Sequence, residues 1–139
     1  MFSIEYAELD DKERWFTFDE HLPVSEYEPK IRDRRCYLLL NDGELVGVIR
    51  YNLIFDFVPF LTLIVLDGPR RRKGYGTLAM RRWEDDMRSF GHKMIMVSTQ
   101  VDEDAQHFYR KLGYKDMGSI VIDIPPYAQP LEMFMGKAL

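Results

Sequence analysis

The sequence predicts an α/β (α+β) domain on a mixed central sheet of about six to seven strands flanked by about four helices. Three observations carry that prediction. Strand-like runs recur along the chain, and residues 59–66 are apolar throughout, as a central strand covered on both faces reads. Residues 77–90 and 102–112 carry apolar side chains at helical spacing. Strand and helix signals alternate across the second half. A chain of 139 residues suits one compact core, and no repeat, linker or low-complexity stretch divides it. A single domain over residues 1–139 follows.

The elements are justified in order. Residues 2–7 alternate enough for a first strand. Asp10 and Asp11 open a helix over 12–20, which Leu22-Pro23-Val24-Ser25 breaks. A charged, weakly periodic segment, about 26–34, reads as a second short helix. Residues 35–40 form a strand, Asn41-Asp42-Gly43 signals a hairpin, and 44–55 return. A turn at 56–58 leads into the central strand, 59–66. The helix 77–90 sets Ala79, Met80, Trp83, Met87 and Phe90 on one face, and Gly91 ends it. Residues 93–98 form a strand. The helix 102–112 sets Ala105, Phe108, Tyr109 and Leu112 at i, i+3, i+4 and i+7, and Gly113 ends it. A strand at 114–124, a loop at Pro125-Pro126 and a last strand at 131–137 complete the chain.

Composition excludes several classes. A net charge of −4 and a pI near 5.4 disfavour nucleic-acid binding. No apolar run is long enough for a membrane helix, and the N-terminal residues lack the basic start of a secretory signal. A cytoplasmic location is expected. The one cysteine, Cys36, lies in an apolar strand, where cysteine packs. His21, His92 and His107 show no ligand spacing, so no metal is expected.

The chemistry points to Arg71-Arg72-Lys73-Gly74-Tyr75-Gly76, a basic, glycine-bearing turn between strand and helix. Its N–H groups and the positive helix end favour an anion, most naturally phosphate or pyrophosphate. With Arg70, Arg81 and Arg82 it forms a local basic cluster in an acidic chain. Cations at a helix N-terminus oppose the macrodipole, so an anionic ligand explains them better than solvent does. The turn lacks the Lys-Ser/Thr ending of a P-loop, and Ala79 replaces the third glycine of a dinucleotide fingerprint.

Residues 71–76 resemble the [Q/R]-x-x-G-x-[G/A] pyrophosphate loop of the GNAT superfamily of N-acetyltransferases. At the right distance, Asp102-x-x-Ala105-x-x-Phe108-Tyr109-Arg110-Lys111-Leu112-Gly113-Tyr114 resembles that family's second motif. The order of strands and helices is similar to the whole domain. The resemblance implies transfer of an acetyl group from acetyl-CoA, the cosubstrate, to an amine of a small molecule, peptide or protein. Arg71, Arg72, Lys73, Gly74, Tyr75, Gly76 and Thr77 would hold the pyrophosphate, with Asp102, Phe108 and Lys111 also at the cofactor. Tyr75 itself stands where the family has an apolar residue and reads as packing. The pantetheine arm would pair with the strand before the loop. A backbone N–H of Ile64, Val65 or Leu66 would polarise the thioester carbonyl. Tyr109 stands at the position of the general acid.

Two departures stand out. Asp102 replaces the usual Asn; it either contacts the cofactor or caps its helix. No carboxylate lies on strand 59–66 or 93–100, so the base is Asp56, Glu132, more weakly Glu26 or Glu28, or ordered water. The acceptor cleft would draw on Trp15, Phe16, Tyr27, Phe55, Phe57, Phe60 and Tyr127, suiting a cationic or partly apolar amine. A non-catalytic acyl-CoA-binding sensor or assembly module is the alternative. A homodimer through the last strands is open.

Overall fold

The computed structural model describes residues 1–68 and 74–139. Strand β1 (Phe2–Tyr6) is followed by a 3-10 turn at Leu9–Asp11 and helix α1 (Lys12–Trp15). A second 3-10 turn, Val24–Glu26, enters α2 (Tyr27–Arg32). Then come β2 (Cys36–Asn41), β3 (Glu44–Ile54), β4 (Val58–Leu66), α3 (Tyr75–Ser89), β5 (Met94–Gln100), α4 (Ala105–Lys111), β6 (Lys115–Ile120) and β7 (Glu132–Ala138). The seven strands form one sheet in the order β1-β2-β3-β4-β5-β7-β6. It is mixed: β4 and β5 run parallel, while β7 is antiparallel to both β5 and β6.

The hairpin signal acts as expected. Asn41 pairs with Glu44 across a turn whose central residues, Asp42 and Gly43, have φ of 51° and 83°. That is the I′ geometry, whose twist matches the strands it joins. The β3–β4 turn repeats it without glycine. Phe55 and Asp56 have φ of 56° and 69°, and Phe57 N–H donates to the Ile54 carbonyl at 3.2 Å.

Contacts group the chain into two compact units, Met1–Asn52 with Thr62–Asp86, and Leu53–Leu61 with Met87–Leu139. Alternation along β2 gives the first unit two packed faces. Cys36, Leu38 and Leu40 join Trp15, Leu22, Tyr27 and Val48 in one cluster. Tyr37 turns the other way, and its hydroxyl donates to Asp86 on α3 at 2.8 Å. Trp83 of α3 packs against Tyr51 with ring centroids 5.9 Å apart. In the second unit Ile95, Val97 and Met135 are fully buried. Phe60 lies 5.9 Å from Phe134, ring to ring.

Three elements are shorter than the sequence predicts by four residues or more. α1 stops at Trp15, not at residue 20, because Asp19 leaves the helix. Its Oδ1 accepts the N–H groups of His21 and Leu22 at 3.0 and 3.1 Å, a local turn that competes with helix. Its Oδ2 accepts Trp15 Nε1 at 3.1 Å and Arg50 Nε at 2.7 Å. α4 begins at Ala105 rather than Asp102, because residues 100–104 bond among themselves. Gln100 N–H donates to the Glu103 carboxylate, and the Gln106 amide donates to the Val101 and Glu103 carbonyls. β6 ends at Ile120, and the segment after it closes on itself through Gln129 N–H to the Ile122 carbonyl at 3.1 Å.

Candidate active site

Arg70, Arg71, Arg72 and Lys73 lie outside the described residues. The site is read from the elements on either side of them. Gly74 has φ of 80°, and its carbonyl accepts Leu78 N–H at 3.1 Å, so it stands immediately before α3. The N–H groups of Tyr75, Gly76 and Thr77 therefore open a 15-residue helix, where no intrahelical acceptor exists and the dipole is positive. The Tyr75 ring stacks on Phe2 at 4.3 Å and 1°, a packing contact. Arg82 is removed from the basic cluster. It donates to Asp86 and to the Ile4 carbonyl, the latter at 2.8 Å.

Ile64, Val65 and Leu66 end β4. A Cβ on Gly47 would stand 2.3 Å from the Val65 carbonyl oxygen, so glycine alone admits β3 this close to β4. The Val46 carbonyl also accepts Asp67 N–H at 2.9 Å. Val65 and Asp67 thus turn their backbone groups toward β3. Along a strand these groups alternate sides, so Ile64 directs its N–H away from β3. The ladder between β4 and β5 consists of Phe60 with Met96 and Leu61 with Val97. It does not extend to Ile64.

In the second unit, Tyr109 is 5 % exposed on α4. Its ring meets Phe108 at 5.4 Å and the edge of Tyr114 at 5.7 Å. Burial, reinforced by the Glu103 carboxylate, pushes its hydroxyl well above the ordinary tyrosine value. The proton is therefore held throughout the neutral range. Asp102 is exposed and lies outside α4, whose N-cap position is Asp104. It does not cap the helix. Phe108 is half-buried and Lys111 exposed.

Among the candidate bases, Asp56 sits exposed at the tip of the β3–β4 turn, and Glu26 and Glu28 are exposed in the first unit. Glu132 differs. It is partly buried on β7, opposite Gln100 and Ile120. Its Oε2 is buried and has no hydrogen-bond partner. Burial and the Glu103 charge push its carboxyl above the usual range, with a Gln129 hydrogen bond opposing them. Of the acceptor-cleft aromatics, Trp15 and Tyr27 belong to the first unit's core. Phe55, Phe57 and Tyr127 are exposed. Cys36 is a packing residue whose thiol burial pushes up to about 12. Among the described residues no cluster of three or more metal-ligating side chains occurs.

Sequence reasoning missed the buried Asp19–Arg50 pair and a polar cavity formed by Lys30, Arg35 and Asn52. Partners 31 residues apart leave no local pattern to read.

Residues 4–114 match the acetyltransferase (GNAT) family, and the chain belongs to it. That makes it an enzyme of the acetyl-CoA-dependent acetyltransferase class. The fold recurs in the ribosomal-protein-S18-alanine N-acetyltransferase of Escherichia coli, with a TM-score of 0.83 at 15% identity, covering 99% of this chain and 94% of that one. It recurs in Arabidopsis thaliana Naa50, in complex with the bisubstrate analogue CoA-Ac-MVNAL, with a TM-score of 0.80 at 18% identity and 99% of each chain covered. A putative streptothricin acetyltransferase of Bacillus anthracis, in complex with acetyl coenzyme A, gives 0.82 at 15% identity over 100% of both chains. No curated protein matches the sequence. No helix among the described residues is long and apolar enough to cross a membrane.

Proposed function

We propose that the protein transfers the acetyl group of acetyl-CoA to a primary amine of a small molecule or peptide, by direct attack in a ternary complex. One observation carries the reading: Tyr109, at the family's acid position, is held in place on α4, 5 % exposed between the Phe108 and Tyr114 rings. The amine nitrogen attacks the thioester carbonyl carbon, the C–S bond breaks, and the thiolate leaves toward the Tyr109 hydroxyl. The Tyr109 hydroxyl protonates the departing thiolate or holds it by hydrogen bond until solvent protonates it.

The N–H groups of Tyr75, Gly76 and Thr77, with Arg71, Arg72 and Lys73, bind the pyrophosphate. Ile64 N–H, directed away from β3, supports the carbonyl oxygen as it becomes an oxyanion. Glu132 takes the ammonium proton. An alkyl ammonium has a pKa near ~10, and a carboxylate raised by burial is a better match to it than an ordinary one. The similar structures include protein N-acetyltransferases and a putative antibiotic acetyltransferase, so both amine classes belong in the test.

The test is thiol release from acetyl-CoA over a panel of small amines and peptide N-termini. Turnover of at least one amine is expected, reduced roughly tenfold or somewhat more by Tyr109→Phe. Full activity in that variant would remove Tyr109 from the chemistry. CoA binding without turnover of any amine would favour a non-catalytic acyl-CoA-binding module, which the displacement of Asp102 from α4 also suits.

A further inference from the structure

The first unit contains a cavity of about 390 Å³, lined by residues of α2, the α2–β2 connection and β3. Its charged lining is Lys30, Arg35 and Arg50 against Glu26 and Asp33, with Asn52 beside them. Two of these charges are already matched. Arg50 pairs with Asp19 at 2.7 Å, and Asp33 pairs with Arg32 at 3.1 Å. Lys30 and Arg35 face Glu26 and also Asp33, whose carboxyl their charges help to lower. Lys30 Nζ donates to the Tyr51 carbonyl at 3.0 Å, a dipole that leaves the ammonium charge unmatched. Arg35 makes no ion pair among the described residues. Burial, and then the Arg50 and Arg35 cations, push the Lys30 ammonium below its ordinary value. The space therefore presents cations and carboxylates side by side, the charge pattern that a small zwitterion matches.

A second, independent observation concerns Asn52. Its side-chain oxygen is buried and accepts no hydrogen bond among the described residues. Such an acceptor costs free energy until a donor reaches it. An inorganic anion would satisfy the cations and leave Asn52 unmatched.

We propose that this cavity binds a small organic carboxylate carrying an N–H or O–H donor beside it, the chemistry of an α-amino acid and its N-acyl derivatives. The carboxylate bridges Lys30 and Arg35, and a turn of the Asn52 side chain brings its oxygen to the donor. Glu26 at the rim accepts an ammonium when one is present. The volume lies at the small end of the range for ligand pockets, which fits a ligand of this size. The site does not depend on the acetyl-transfer reading. Two sources share the chemistry: an amino-acid acceptor held by its carboxylate, or a free acid that binds without reacting.

The full chain is titrated with the standard L-amino acids, with their N-acetyl derivatives, and with the carboxamides of both. Thermal shift and calorimetry are the readouts. At least one carboxylate is expected to bind in the millimolar range or tighter. Its carboxamide should bind at least about tenfold more weakly, because charge-assisted hydrogen bonds are lost. Arg35→Gln and Lys30→Met should each abolish that preference. Asn52→Leu should weaken the donor-bearing acid more than plain acetate. Equal affinity for acid and carboxamide, no binding by any member, or an unchanged preference in both cation variants would overturn the site. Product mass with acetyl-CoA present separates the sources: an acetylated acid is an acceptor, an unaltered one an effector. Acetyl-CoA binding is measured alongside. If it persists while every carboxylate fails, the cavity proposal falls and the acetyl-transfer reading stands; the reverse pattern sinks that reading and keeps the cavity.

Discussion

Two carboxylates, one in each unit, respond to burial in opposite ways. Asp19 in the first unit is pushed up by burial, yet Arg50 and the N–H groups of His21 and Leu22 hold it below the usual range. Glu132 in the second has burial and the Glu103 charge against it and only Gln129 for it, so it ends above the usual range. Burial is common to both; the supply of donors differs. A carboxylate given all its partners becomes a fixed anion that holds a chain turn in place. One left short of partners keeps its proton equilibrium within reach of chemistry.

The largest way to break the comparison is Asp19→Asn. The variant leaves Arg50 buried without its counter-ion and should lose about 3–5 kcal/mol of stability in urea denaturation. Because the Asp19 pKa is lowered on folding, its contribution is full above the unfolded value of ~3.9 and disappears as pH falls through the folded one. The gap between wild type and variant should close in that acid window. A gap below about 1 kcal/mol at neutral pH would reduce Asp19 to an ordinary surface acid.

Glu132→Gln tests the other side. Turnover should fall roughly a hundredfold if Glu132 is the base. Stability should rise at neutral pH, because the folded state no longer carries an ionised, under-bonded carboxylate. The sign with pH is opposite to that of Asp19. Glu132 favours folding fully below its unfolded value of ~4.3, and this is lost as pH rises through its raised folded pKa. The variant's thermal advantage should therefore shrink on acidification. Undiminished turnover would hand deprotonation to water.

Tyr109→Phe comes next, with its roughly tenfold loss. In the wild type, the alkaline side of the pH–rate profile should show no fall from Tyr109 below about pH 10, since its pKa is raised. Cys36→Ala is the smallest, costing about 1 kcal/mol in stability with turnover unchanged. The native thiol should resist alkylation, being buried and pushed up to about 12.

Much of the fold was legible because the signals were local. Asn41-Asp42-Gly43 states its turn, and Gly91 and Gly113 end their helices with φ of 90° and 96°. The helix errors came from side chains that bond backbone. Asp19 turns the chain out of α1 by accepting the His21 and Leu22 N–H groups, and it is held there by Arg50, a partner that composition near residue 19 does not announce. Glu103 and Gln106 tie down the segment where helix was expected from Asp102. Candidate site residues could be named where a motif fixes residue order, as around Tyr109. The sequence left Asp56, Glu132, Glu26, Glu28 and water open as the base, because the burial that sets Glu132 apart is a property of neighbours distant in sequence. Lys30, Arg35 and Asn52 carried no pattern at all; only folding brings them around one cavity.

Trp15 donates its indole N–H to Asp19, and Trp83 packs on Tyr51. These are the chain's two tryptophans, both fully buried and both in the first unit. Intrinsic fluorescence therefore watches one unit and is blind to the other. An emission shift during denaturation times the loss of the Asp19–Arg50 neighbourhood, while circular dichroism averages over all seven strands. Coincident transitions would mean the two units melt as one; a dichroic signal that persists after the emission has shifted would expose a second unit holding its own structure.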